Sequence, residues 1–168
     1  MKHWYALYTQ SRKEKVLETE LTKNGYEVFL PLRKELRRWK DRKKMIEVPL
    51  FTSYIFVKAE TKELPLIVQI TGAVKFIYFE GKPIPVPQHQ IDSIRILLER
   101  EIEFELQRTN VKVGDRVQIR EGRFAGLTGV VRNEKGKTLF AVVIDALQVN
   151  MTIEIDKNEV VLLNKNKD

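Results

Sequence analysis

Residues 49–57 read P-L-F-T-S-Y-I-F-V, an uncharged apolar run that follows directly on the most basic segment of the chain. With the two-residue period of a strand, Ser53, Ile55 and Val57 face one way, and Thr52, Tyr54 and Phe56 face the other. The aliphatic side suits a core under helices, and the aromatic side is left to meet a partner.

Working outward, residues 4–9 predict a strand. Ser11-Arg12-Lys13-Glu14 fits a capping box that opens a helix, with Val16, Leu17 and Leu21 as its apolar stripe and Gly25 as its stop. Residues 26–32 predict a second strand. Residues 33–44 hold eight basic residues (Arg33, Lys34, Arg37, Arg38, Lys40, Arg42, Lys43, Lys44) against Glu35 and Asp41. They read as a long β-hairpin arm that returns through Met45, Ile46 and Val48 into a strand over 49–59. A short helix is expected at 64–70, with Pro65 in its first turn, and a strand at 74–79. A further helix is expected after Pro85-Val86-Pro87, where Ile91, Ile94, Leu97, Leu98 and Ile102 recur at helical spacing. The order implies an α+β sandwich, an antiparallel sheet with helices on one face.

Beyond residue 110 the texture changes. Short β-branched runs at 116–120, 128–132, 139–144, 149–155 and 160–163 alternate with Gly, Asp and Asn turns, the pattern of a small all-β barrel. The expected organisation is a first domain over 1–103, a short linker over 104–110, and a barrel over 111–168.

Composition excludes several classes. The absence of Cys removes disulfides and thiolate metal sites. His3 and His89 stand alone, and no phosphate-binding or nucleophile motif is present, so neither an enzyme nor a cofactor or metal protein is expected. No apolar run approaches the ~20 residues that cross a bilayer. The first residues lack a signal-peptide pattern, so a cytoplasmic monomer with no membrane partner is the economical expectation. The net charge of +7 resides largely in the arm. That concentration points to a local polyanion contact, or else to a solvated hairpin charged against edge pairing.

Residues 113–131, V-G-D-R-V-Q-I-R-E-G-R-F-A-G-L-T-G-V-V, resemble a KOW motif. Gly114-Asp115 makes a turn, Val117 and Ile119 alternate inward, and Gly122 and Gly126 fold a tight loop around Phe124. Gly129 precedes the returning strand with Val131. In the first part, Trp4-Tyr5-Ala6-Leu7-Tyr8, Val28-Phe29-Leu30-Pro31, the run at 49–57 and Ile84-Pro85-Val86-Pro87 follow the order of the NusG amino-terminal domain. The whole chain thus resembles NusG-type transcription elongation factors. The form of residues 49–57 and the long arm are closer to the specialised RfaH and UpxY antiterminators.

The resemblance implies a non-enzymatic factor that docks on the clamp helices of the RNA polymerase β′ subunit and reaches toward the gate loop of the β subunit. Bridging that cleft holds the clamp closed and suppresses pausing. On matching positions the docking patch is Tyr8, Phe51, Tyr54 and Phe56, with Trp4 alongside. Tyr5 is expected in the core, Trp4 and Phe51 fit core or patch, and Tyr54 and Phe56 are expected exposed. The arm, Arg33, Lys34, Arg37, Arg38, Lys40, Arg42, Lys43 and Lys44, would meet DNA phosphates near the transcription bubble. Trp39 would stack on an unpaired base or pack on its own hairpin. Family barrels bind termination factor Rho or a small-subunit ribosomal protein, and the matching surface here is an exposed Phe124 with the turns near Arg132-Asn133.

The sequence also departs from the RfaH pattern. Gln10 and Thr71-Gly72 stand where that branch reads a DNA element, and Leu64-Pro65-Leu66 occupies the gate-loop position. Val142-Val143-Ile144 and the five glycines from Gly114 to Gly136 predict a stable barrel, not a helical hairpin. The rival reading is an RNA-binding module, because Ser53-Tyr54-Ile55-Phe56-Val57-Lys58 resembles the base-stacking strand of an RRM.

Overall fold

A computed structural model describes residues 1–108, 115–156 and 162–165, with the backbone alone at Asp115 and 162–165. The chain divides into two compact units, Met1–Pro85 and Val86–Asp168.

The first unit runs β1 (His3–Thr9), α1 (Glu14–Lys23), β2 (Glu27–Phe29), β3 (Leu32–Arg38), β4 (Lys43–Pro49), β5 (Tyr54–Ala59), α2 (Leu64–Ile67), β6 (Ala73–Phe76), β7 (Tyr78–Phe79) and β8 (Lys82–Pro83). Its main sheet has the order β2-β5-β1-β6, and every pairing described within it is antiparallel. Register follows the apolar alternation. Tyr5 lies opposite Val57 and Leu7 opposite Ile55, and all four belong to the core with Leu17 and Leu21 of α1 and Leu64 and Ile67 of α2. Tyr5 is therefore core, as the alternation predicts. The β3–β4 pair is a separate two-stranded arm, with residues 39–42 as its tip.

Two local expectations are corrected. The strand expected over 49–59 is interrupted: β4 ends at Pro49, and the chain turns before β5 begins at Tyr54. Tyr54 N–H donates to the Phe51 carbonyl at 3.1 Å, and Ser53 takes a left-handed φ of 64°. The capping box is also absent. Helix α1 starts at Glu14, its N-cap Lys13 makes no side-chain cap bond, and the buried Glu14 carboxylate accepts from Ser53 N–H at 2.9 Å. A tertiary acceptor role has replaced the local one. Gly25 ends the helix as expected, with φ 82°.

The short strand β9 (Pro85–Val86) falls at the division, and the second unit holds α3 (Gln88–Glu99), β10 (Glu105–Gln107), β11 (Asp115–Ile119), β12 (Thr128–Glu134), β13 (Lys137–Ile144), β14 (Val149–Ile155) and β15 (Leu162–Lys165). One antiparallel sheet orders β10-β14-β13-β12-β11-β15. Residues 104–110, expected as linker, contain β10, which pairs with β14. Helix α3 belongs to this unit. It buries Ile91, Ile94 and Leu97, and its polar residues bond to the barrel. Gln90 Nε2 donates to Asp145 at 2.8 Å, and Thr128 N–H donates to Ser93 Oγ at 3.0 Å. The mixed fold, an α+β first part and a small β barrel, is the one the sequence predicts.

Candidate functional site

The second face of the main sheet is built in rows across its strands. Residues directly opposite on paired strands share a face, so the register assigns each row. Glu27, Lys58 and Trp4 form one row, Phe29, Phe56 and Ala6 the next, and Tyr54, Tyr8 and Lys75 the third.

The first two rows are closed. Trp4 is buried, with Lys58 Nζ 5.8 Å from its ring centroid, and Lys58 pairs with Glu27 at 3.5 Å. Phe56, expected exposed, is 0% exposed. Phe29 stacks on it at 6.1 Å, and Phe51 meets it edge-on at 6.0 Å. The turn at 50–53 brings Phe51 into contact with Phe56, and Phe51 itself is buried. A face that alternation leaves free is thus filled by a ring from its own approach segment.

The third row is different. Tyr8 is 36% exposed and Tyr54 half-buried, and their rings meet at 5.4 Å with a 57° tilt. Exposed Lys75 lies opposite Tyr8 on β6 and makes no ion pair among the described residues. Neither Lys75 nor Phe29 was among the candidates, because the register that brings them to this face is not visible in sequence spacing. Of the five patch candidates, only Tyr8 and Tyr54 therefore offer ring surface. Trp4, Phe51 and Phe56 are buried, Trp4 and Phe56 in the neighbouring rows of the same face.

Nearby, Gln10 N–H donates to the Gly72 carbonyl at 2.8 Å, which joins two of the positions where the chain departs from the RfaH pattern. Leu66, at the third, is exposed.

The arm carries every basic candidate on or between two paired strands. Arg37 lies opposite Lys44, and Arg38 opposite Lys43. Like charges directly opposite each other destabilise a ladder, and two such pairs in succession close this one. Arg33 and Arg37 are partly neutralised by Glu35, at 3.8 and 3.7 Å. Lys34 stands opposite Glu47, and Lys40 lies at the tip. Trp39 N–H bonds the Arg42 carbonyl at 2.8 Å, and the Arg42 guanidinium sits 5.4 Å from the Trp39 ring, which is still 45% exposed. At the arm's base, Lys15 Nζ donates to the Glu47 carbonyl at 3.0 Å.

In the second unit Val117 and Ile119 are buried as expected, and Val131 is half-buried. Gly114 lies outside the described residues, as does the Asp115 side chain. Gly122 and Gly126 take φ of 81° and 92°, and Gly126 N–H donates to the Ile119 carbonyl at 2.7 Å. Phe124, expected to project, is 1% exposed. The two left-handed glycines turn the loop inward, and the Arg123 guanidinium covers the ring at 4.5 Å. Gly129 packs against β13, and a Cβ there would collide with the Ala141 carbonyl oxygen and lie 2.9 Å from Phe140 Cζ.

Residues 2–95 match the family model described as transcription termination factor nusG. The chain belongs to the NusG family. It is a NusG-type transcription factor by that membership. Among its relatives, a transcription termination/antitermination protein NusG of Chlamydia pneumoniae is 26% identical over 150 residues, covering 82% of each chain. That of Rickettsia felis is 25% identical over 174 residues, covering 95% of this chain and 90% of its own. A solved structure described as domain interaction in Thermotoga maritima NusG aligns with 99% of this chain and 98% of its own, at a TM-score of 0.49 and 23% identity.

Proposed function

We propose that this NusG-family chain is an elongation and antitermination factor that docks on RNA polymerase through the Tyr8–Tyr54 row. The observation that carries the reading is the contact of these two rings at 5.4 Å, beside Lys75 and on the face opposite the helices. An aromatic pair held in ring contact beside the closed Phe29–Phe56 row loses little freedom when a partner covers it. Aromatic anchors of this kind carry most of an interface's energy, about 2 kcal/mol or more each on truncation.

In this reading the β′ clamp helices meet the tyrosines, and the region of Leu66 approaches the β gate loop. Clamp closure then suppresses pausing. The arm meets DNA near the transcription bubble, and the barrel recruits Rho or a small-subunit ribosomal protein near Arg132-Asn133. Phe124, being buried, is not part of that surface. The protein works in the cytoplasm as a monomer. The RNA-binding alternative has less support, because an RRM-like platform needs the Phe56 ring, which is fully buried and in contact with Phe29 and Phe51.

The test is capture of purified RNA polymerase by the wild type and by Tyr8→Ala/Tyr54→Ala, which spares the buried rings. Loss of capture with an unchanged melting temperature is expected. Undiminished capture would sink the reading.

A further inference from the structure

One face of the sheet in the second unit is only partly covered, and its open part has two unlike walls. Val130, Ala141, Thr152 and Glu105 form one row across β12, β13, β14 and β10, and Arg132, Leu139 and Glu154 form the next row on the same face. Helix α3 packs on β12 and β13, with Gln90 beside Val130 at a small cavity, and Val130 and Ala141 are buried. The second row lines an open groove of about 750 Å³, with half-buried Leu139 near mid-width. Arg132, Lys135 and Lys137 stand on its β12–β13 side, and Glu103 and Glu105 stand on its β10 side. Lys137 is taken by Glu154 at 2.7 Å, and Glu134 holds one end of Arg132 loosely at 3.7 Å. Glu103, Glu105 and Lys135 make no ion pair among the described residues, and Arg132 Nε is buried there without a hydrogen-bond partner.

We infer that this groove docks a polypeptide segment that turns basic side chains toward Glu103 and Glu105, a carboxylate toward Arg132 and Lys135, and an apolar side chain onto Leu139. The inference rests on the proposed recruiting role of the barrel and specifies the chemistry of what is recruited. The charge pattern selects the occupant. A nucleic acid brings phosphates alone, and here it would meet four carboxylates, Glu103, Glu105, Glu134 and Glu154, against three cations. A polypeptide can bring both signs at once. The walls stand on strands three apart, about 14 Å along the sheet at about 4.8 Å per strand, which leaves room for one segment and its side chains. A carboxylate gives the Arg132 guanidinium the acceptor it lacks, and such charge-assisted bonds are stronger than neutral ones. Opposite charges on the two walls also fix which way round the segment lies.

The test selects peptides from a random display library on the immobilised full chain, then measures the selected peptides by fluorescence anisotropy. Selected sequences are expected to combine Lys or Arg with Asp or Glu around an apolar residue. Glu103→Lys/Glu105→Lys, at two exposed positions, is expected to weaken those peptides about tenfold or more and to select sequences poorer in basic residues. Arg132→Glu should weaken them similarly and select sequences poorer in acidic residues. Lys135→Glu, on the exposed β12–β13 turn, carries the same test if Arg132→Glu lowers the melting temperature. Single-stranded RNA is expected not to displace the peptides. Peptides whose affinity is unmoved by reversing either wall, or that RNA displaces, overturn the inference while leaving the barrel's recruiting role in place. A chain that selects no peptide overturns both.

Discussion

The Glu14 carboxylate and the Ser53 turn show how one side chain can set the shape of a functional surface. Glu14 is buried, and its acceptor oxygen satisfies the Ser53 N–H at 2.9 Å. The Ser53 carbonyl in turn accepts from Thr9 N–H at 2.9 Å, so the turn is tied to β1 beside Tyr8. Glu14→Ala leaves a partly buried donor unpaired and is expected to cost about 1 kcal/mol, measured by chemical denaturation. Glu14→Gln keeps an acceptor and should cost less. At Gly129 the constraint is steric, because Ala141 backbone occupies the space of a Cβ. Gly129→Ala is expected to destabilise the barrel by about 1–3 kcal/mol, the usual range for overpacking, again read by denaturation. Neither residue's partner was legible in the sequence. Glu14 looks like a capping residue by spacing, and the Gly129 contact depends on the register of β12 with β13.

The elements themselves were largely legible. Most follow from alternation, helical period and turn residues, which are local properties: a polar hairpin between two apolar strands predicts the arm, and Ile91, Ile94, Leu97, Leu98 and Ile102 predict α3, although the helix ends at Glu99, short of Ile102. What sequence reading missed is where loops send their rings. Residues 49–53 look like strand because they are apolar, yet Ser53 at positive φ breaks the run and returns Phe51 onto Phe56. The glycines around Phe124 signal a tight loop, but their sequence does not say whether the loop points in or out. The buried Gln90 and Ser93 of α3 bond to residues 55 and 35 positions away, beyond the reach of any spacing rule. The arm also makes a prediction at this scale. Replacing one member of a like-charged pair, as in Lys43→Glu, sets opposite charges across the ladder and should stabilise the arm by about 0.2–1 kcal/mol. Slower amide exchange over residues 36–45 would register the gain, and polynucleotide affinity should fall in the same variant. An arm that becomes more stable and keeps its affinity would argue that its charges only block edge pairing.

At the scale of the whole molecule, the proposed contacts differ in physical character. The Tyr8–Tyr54 row is an aromatic surface flanked by Lys75, whereas residues 33–44 carry an excess of six positive charges in a chain whose net charge is +7. Salt screens the second contact far more than the first. Polymerase capture by the wild type should therefore persist as ionic strength rises, while any effect that depends on the arm should fade. Arg37→Ser/Arg38→Ser/Lys40→Ser separates the two without salt. These side chains lie at the outer end of the arm, away from the Lys15–Glu47 bond at its base and from the tyrosine row. The triple variant is expected to be captured by polymerase as well as wild type, yet to leave longer pauses in a single-round transcription assay. Pause lifetimes unchanged across several templates would mean that the arm's charge serves solubility, and that clamp docking alone accounts for antipausing. Loss of capture in the same variant would place the arm inside the polymerase interface itself, and the division of labour between an apolar dock and a basic arm would fall.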